Sequence, residues 1–590
     1  MKKVIVGILA VIGVLAILGM CGFVVLMLLS LTGSPSVPAK VVLELDFESG
    51  LIEAIPDDPT AQIMLANTLQ LRDVVEALEV AADDRRVVGV VARISGEPMA
   101  MAQIQEVRDA IFRFRESGKP AYAFAETFGE FSSGNGGYYL ATAFDEIFMQ
   151  PSGDVGLTGL YYETRFLRGG FDKLGIELRM GQRYEFKNAV NSYTHNEMTG
   201  PHREALTRVM DSRFSQIVEG IAEARGMQDE SVRQLAARGP LLGEEALEAD
   251  LVDRLAYRDE VMEELRSVTE QPRARALYAD LYLERTGRPH QRGTNVALIH
   301  GFGGVMRGAS RYSPVDGSIV MGSDTVSAAF RAAIDDDRIE AILFRVDSPG
   351  GSYVASDTIW RETIRAQQAG KPVVVSMGNL AGSGGYFVAM AADRIVAQPG
   401  TITASIGVYG GKMLTNGMWE KLGISYQGVG TQPGASHWSA HADYDEAGEE
   451  RLNASLDRIY EDFTSKVAEG RGLELERVQE IAKGRIWTGQ DAFEIGLVDV
   501  LGGYNVALNE VRDLLGLEQD APLKLRRFPA ERGPFDALFG MPRENSDATA
   551  MRSLLRSLQA AQPAIREFKR STGIDQPQGL VLDGSYKFDN

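Results

Sequence analysis

An apolar run, Val373–Met377, leads into Gly382-Ser383-Gly384-Gly385-Tyr386. This order reads as a strand, a glycine-flanked turn and a helix, which would lift Ser383 clear of a sheet. Glycines on both sides let a substrate carbonyl approach the backbone. The free amides of a helix N-terminus stabilise negative charge. Ser383 is therefore the candidate nucleophile. A second glycine turn, Asp347-Ser348-Pro349-Gly350-Gly351-Ser352, follows the apolar run that ends at Val346. Amides near Gly350 and Gly351, with the amide of Gly384, would make an oxyanion hole. One such donor is worth roughly 3 kcal/mol in acyl transfer. Taken alone, the same residues also read as a turn and a helix cap with Ser383 as the N-cap.

An internal repeat weighs between these readings. Gly134-Asn135-Gly136-Gly137-Tyr138 matches the Ser383 segment at an offset of 248, and Lys173-Leu-Gly-Ile176 matches Lys421-Leu-Gly-Ile424. Upstream the offset is 252, pairing Arg93 with Arg345. Downstream it is 246, pairing Leu251-Val-Asp253 with Leu497-Val-Asp499. The first copy holds Asn135 at the serine position and Ser95-Gly-Glu-Pro98 in place of the glycine turn. Asparagine caps a helix as well as serine does, so capping does not explain the difference. A difference confined to this turn points to one copy that keeps a chemistry the other lost.

A serine hydroxyl needs a base. The six histidines (His195, His202, His290, His300, His437 and His441) show no evident Ser–His–Asp pattern. A neutral lysine is the other partner type, because lysine deprotonates when desolvated and arginine does not. Between Lys3 and Lys371 the chain has Lys40, Lys119, Lys173 and Lys187. Lys119 and Lys173 recur as Lys371 and Lys421 and read as structural. Lys187 does not recur, and its neighbours Tyr184, Phe186, Ala189 and Val190 are suited to burying it. On the residues alone, Lys187 and the histidines both stay open as the base. Ser405, in Thr403-Ala-Ser-Ile-Gly407, is specific to the second copy. It either orients Lys187 or satisfies a turn.

The elements that must position these residues alternate between strand and helix. Val87–Ile94, Ile339–Val346, Val373–Met377 and Ile395–Ala397 read as buried strands. Ser323–Ala333 and Ala355–Gln367 have helical periodicity. Such alternation implies right-handed βαβ units and an α/β fold. Residues 40–270 and 294–510 are the two copies, 271–293 a linker and 511–590 an extension that holds a candidate amphipathic helix, Ala550–Phe568.

Lys2 and Lys3 precede an uncharged apolar run from Val4 to Ser34. Its length exceeds the roughly 20 residues that span a bilayer, so residues 1–34 read as a transmembrane anchor with its lysines on the cytoplasmic side. The single cysteine, Cys21, lies in that run, so no disulfide forms within the chain. A net charge of -20 argues against nucleic acid as a main partner. The chain has no P-loop and no HExxH motif, and no cofactor or metal is expected.

Taken together, the N-terminal run, the duplication and four motifs resemble one family. The motifs are Ser-Pro-Gly-Gly, Gly-Ser-Gly-Gly-Tyr, Thr-Ala-Ser-Ile-Gly and the Tyr-Glu-Phe-Lys-Asn-Ala-Val segment around Lys187. The family is the long form of signal peptide peptidase A, or protease IV, of bacterial membranes. The resemblance implies tandem ClpP/crotonase-like domains, a serine in the second copy and a lysine in the first. These map onto Ser383 and Lys187. It further implies a single-pass inner-membrane protein with a periplasmic catalytic region, a bowl-shaped homotetramer, apolar substrate pockets, and remnant signal peptides as substrates. Two other readings remain at this stage. One is a crotonase-type acyl-CoA enzyme, since that fold also uses paired oxyanion amides. The other is a catalytically degenerate membrane scaffold.

Overall fold

In each copy, short runs rich in Val, Ile, Leu and Phe form parallel strands that are buried on both faces, as helix-covered parallel sheets require. The computed structural model describes residues 36–529, apart from positions 49, 57, 66, 67, 98 and 315. The expected anchor, Cys21 and the helix expected at 550–568 lie outside the described residues. Among the described residues, no helix is long and apolar enough to cross a membrane.

The first sheet has six strands in the order Arg254–Leu255, Glu146–Met149, Ala121–Ala125, Val87–Arg93, Val41–Asp46 and Arg275–Tyr278, all parallel. The second sheet repeats this plan. Val500–Leu501, Arg394–Ala397, Val373–Gly382, Ala341–Ser348, Thr294–Phe302 and Leu523–Phe528 pair in the corresponding order, again in parallel. Two further strands extend it. Ile402–Ala404 pairs with the end of Val373–Gly382, and Ile486–Thr488 runs antiparallel to Ile402–Ala404.

Two boundaries differ from the sequence reading. The stretch 271–293 contains Arg275–Tyr278, which closes the edge of the first sheet, and the helix Ala279–Thr286. The stretch after 511 contains Leu523–Phe528, its counterpart at the edge of the second sheet. Both strands are short and carry arginine or lysine at an edge, so neither produces the continuous apolar run that marks the central strands.

The repeat is visible in individual bonds. Tyr138 Oη donates to Leu251 O (2.7 Å) and Tyr386 Oη to Leu497 O (2.8 Å). Lys119 Nζ caps the carbonyls of Ala81 and Asp84, as Lys371 Nζ caps those of Ala333 and Asp336. Lys119 and Lys371 are thus helix-end anchors.

The copies also grip each other. Glu177–Arg183 of the first forms an antiparallel ribbon with Val408–Leu414 of the second. The long helix Gly200–Arg225 lays Ala205, Leu206 and Val209 against Ile402 and Ile486. Buried Arg345 pairs with Glu53 (2.9 Å) and Glu106 (3.0 Å), both from the first copy, and donates to Ser376 Oγ (2.8 Å). Its repeat counterpart Arg93 pairs instead with Glu48 and Glu126 of its own copy.

Candidate active site

The strand Val373–Gly382 runs to the residue before the serine, and a single helical turn, Gly384–Phe387, starts just after it. Between them Ser383 adopts φ 53° and ψ -117°, a region that side-chain-bearing residues rarely occupy. Such a residue carries strain of order 1–3 kcal/mol and persists only where its surroundings fix it. Here Ser383 N donates to Ala404 O (2.7 Å) and Ser383 O accepts from Phe387 N (2.9 Å). The hydroxyl is held at the mouth of the turn, partly exposed.

Lys187 arrives from the other copy. The ribbon that ends at Arg183 delivers its loop to the junction, where the side chain is 3% exposed. Its Nζ lies 3.0 Å from Ser383 Oγ, 3.0 Å from Ser405 Oγ and 2.8 Å from Ser405 O. Burial alone pushes the amine down to about 7. Near neutrality a large fraction is thus unprotonated and able to accept a proton. Ser405 also has a left-handed backbone, φ 52°, after Ala404 at φ 65°. That conformation turns both its carbonyl and its hydroxyl toward the amine.

Tyr184, expected among the groups that bury Lys187, is itself 43% exposed. Backbone also packs against Lys187. Gly484 packs so tightly on Lys187 that an added Cβ would stand 2.5 Å from Lys187 Cβ. This glycine escaped the sequence reading, although the signal that revealed Ser383 was present: at the downstream offset the first copy has Arg238 there. Among the described residues, none of the six histidines hydrogen-bonds Ser383, whose hydroxyl partner is Lys187.

The two glycine turns meet through bare backbone. A Cβ on Gly350 (φ 94°) would come within 2.5 Å of Gly384 N, and one on Gly384 within 3.0 Å of Gly351 N. The expectation that Gly350 donates to an oxyanion is corrected here: its N–H is given to Ser348 Oγ (3.1 Å). Among the described residues, the amides of Gly351 and Gly384 carry no such bond and flank the serine. In the first copy, Asn135 is fully buried. Its amide donates to Ser133 Oγ (2.6 Å) and Gly159 O (2.8 Å), and its carbonyl accepts from Thr158 N and Gly159 N. That position is a satisfied structural node.

Comparison with known proteins identifies the family of the chain. Peptidase family S49 matches residues 113–271 and again 365–518. The chain belongs to peptidase family S49. Its two matched stretches make it a duplicated member of this serine peptidase family. It is 32% identical to Protease 4 of Salmonella typhi over 76% of this chain and 72% of that one. It is 30% identical to the chloroplastic serine protease SPPA of Arabidopsis thaliana over 75% of this chain and 65% of that one. A solved ClpP1 mutant from Listeria monocytogenes overlaps 36% of this chain and 95% of its own, at 16% identity and a TM-score of 0.23, too slight a likeness to argue from.

Proposed function

We propose that this S49 peptidase hydrolyses peptide bonds with Ser383 as nucleophile and Lys187 as general base and acid. The observation that carries this reading is the 3.0 Å contact between Lys187 Nζ and Ser383 Oγ, with the lysine buried. Neutral Lys187 takes the hydroxyl proton as Ser383 attacks the carbonyl carbon. The amides of Gly351 and Gly384 receive the developing oxyanion. Lys187, now an ammonium, gives its proton to the leaving amine. Ser405 O and Oγ accept from that ammonium and keep it aimed. Water then attacks the acyl-enzyme by the same base. No step calls for a metal or a nucleotide.

The substrates we propose are remnant signal peptides, with the apolar run up to Ser34 as the membrane anchor and the catalytic copies on the periplasmic side of a bacterial inner membrane. Apolar peptides left in a bilayer reach an enzyme tethered there more readily than a free one. A homotetramer of ClpP/crotonase-like copies completes the proposal. The acyl-CoA and scaffold readings receive no support from the site, because the lysine–serine contact is intact and the chain is a member of a peptidase family.

The test is hydrolysis by the full chain in detergent micelles, with signal-sequence-like peptides compared against polar peptides of equal length. Preferential cleavage of the apolar set, abolished in Ser383→Ala, is the expected result. Full activity in Ser383→Ala would remove the catalytic assignment. Equal turnover of both peptide sets would remove the substrate assignment alone.

A further inference from the structure

Residues 483–485 belong to neither glycine turn, yet they organise the lysine. Lys483 O accepts from Tyr184 N (3.0 Å) and Phe186 N (3.1 Å). Gly484 has φ +84°, and its N–H donates to Ile406 O (2.8 Å). Besides the approach to Lys187 Cβ, a side chain there would stand 2.6 Å from Lys187 Cα and from Lys187 N. Arg485 lies over the rings of Phe186 (4.8 Å) and Trp487 (4.4 Å), a cation–π clamp on the residue before the lysine. Its carbonyl accepts from Ser405 N (2.9 Å). One segment of the second copy therefore holds both the loop that supplies the amine and the serine that receives it.

We propose that Gly484 is a positioning residue for proton transfer: its missing side chain lets the first copy's loop seat Lys187 Nζ between Ser383 and Ser405. This rests on the lysine–serine reading above. The charged neighbours are accounted for among themselves. Lys483 pairs with Glu185 (3.2 Å), Arg485 with Glu204 (2.6 Å), and Arg183 with Asp457. Tyr460 Oη accepts from Lys483 N (3.3 Å), and the Tyr184 ring stands edge-on to Tyr460 at 4.7 Å. Burial is the one cause that lowers Lys187. Loosening the seat therefore acts through water reaching the amine, and through the distance to Ser383.

The experiment uses the full chain in detergent and reads the pH dependence of kcat/KM on a fluorogenic peptide, together with Tm. Gly484→Ala is compared with Gly472→Ala. Gly472 has a similar backbone, φ +62°, but a Cβ there meets nothing within 4 Å. Both variants carry left-handed strain; only the first touches the lysine. Gly484→Ala is expected to move the acid limb upward by on the order of one pH unit as the amine regains solvent, and to lower the plateau about tenfold or more, the cost of roughly one misplaced hydrogen bond. Gly472→Ala is expected to keep the wild-type limb at a comparable loss of Tm. If Gly484→Ala does not fold, Gly484→Asn replaces it, since asparagine tolerates the left-handed region while still adding the Cβ. A wild-type limb in the folded position-484 variant, with Lys187→Ala inactive, overturns this proposal and leaves the lysine–serine pair standing. Full activity in Lys187→Ala overturns both.

Discussion

Lys187 Nζ and Ser383 Oγ lie 3.0 Å apart although 196 residues separate them in sequence. Neither copy holds both groups, so the proposed catalytic centre exists only where the copies meet. Lys187→Arg tests what the amine is for. Arginine keeps the positive charge but cannot supply a neutral base. We expect it to lose activity by about 10²–10⁴-fold, the loss also expected of Lys187→Ala, with an unchanged circular dichroism spectrum. Activity within tenfold of wild type would show that charge alone suffices.

Burying this lysine has a cost that depends on pH. Below about pH 7 the folded and unfolded chains both hold the proton, and the folded state bears the full penalty of an enclosed ammonium. Between about 7 and the ordinary 10.5, the unfolded chain binds a proton that the folded chain does not, so stability rises with pH across that window. Lys187→Met removes this term. The variant is expected to gain Tm over wild type at pH 6 and to lose most of that advantage at pH 10. An equal difference at both pH values would contradict the assigned desolvation.

Asn135 should separate structure from chemistry. Its four hydrogen bonds lie in the copy without a nucleophile. Asn135→Ala is expected to reduce stability by about 1–3 kcal/mol, the cost of stranding buried partners, in urea denaturation. Activity per folded molecule should not change. A loss of kcat without a loss of stability would assign the first copy a role in the reaction.

Arg345 joins the copies behind the glycine turn. Burial pushes the carboxyl of Glu53 up to about 7 against the opposing pull of Arg345. Arg345→Met leaves Glu53 and Glu106 enclosed without their cation, and is expected to cost about 3–5 kcal/mol. Glu53→Gln should cost less, because its amide still bonds the guanidinium. The reverse ranking in denaturant midpoints would show that the network is not held by Arg345.

Much of the site was legible because the chain contains its own comparison. Differences between two aligned copies singled out Ser383, the Ser-Pro-Gly-Gly turn and Ser405, and the apolar runs located the central strands. What escaped has physical causes. Arg275–Tyr278 and Leu523–Phe528 are edge strands whose charged residues break the apolar run. Which amide of Gly350 and Gly351 is free depends on a local hydrogen bond to Ser348, which residue types do not encode. Lys187 packs against the backbone of Gly484 and bonds the Ser405 carbonyl, contacts that its sequence neighbours do not announce. Its pairing with Ser383, open on residue types alone, required the Glu177–Arg183 ribbon to bring the copies together.

The most direct test of the central claim is covalent labelling by a serine-directed phosphonate, followed by peptide mass mapping across a pH series. The account predicts one adduct, on Ser383, forming at a rate that rises with a midpoint near pH 7 and falling by orders of magnitude in Lys187→Ala. An adduct on a different serine, or undiminished labelling of Ser383 without Lys187, would contradict it.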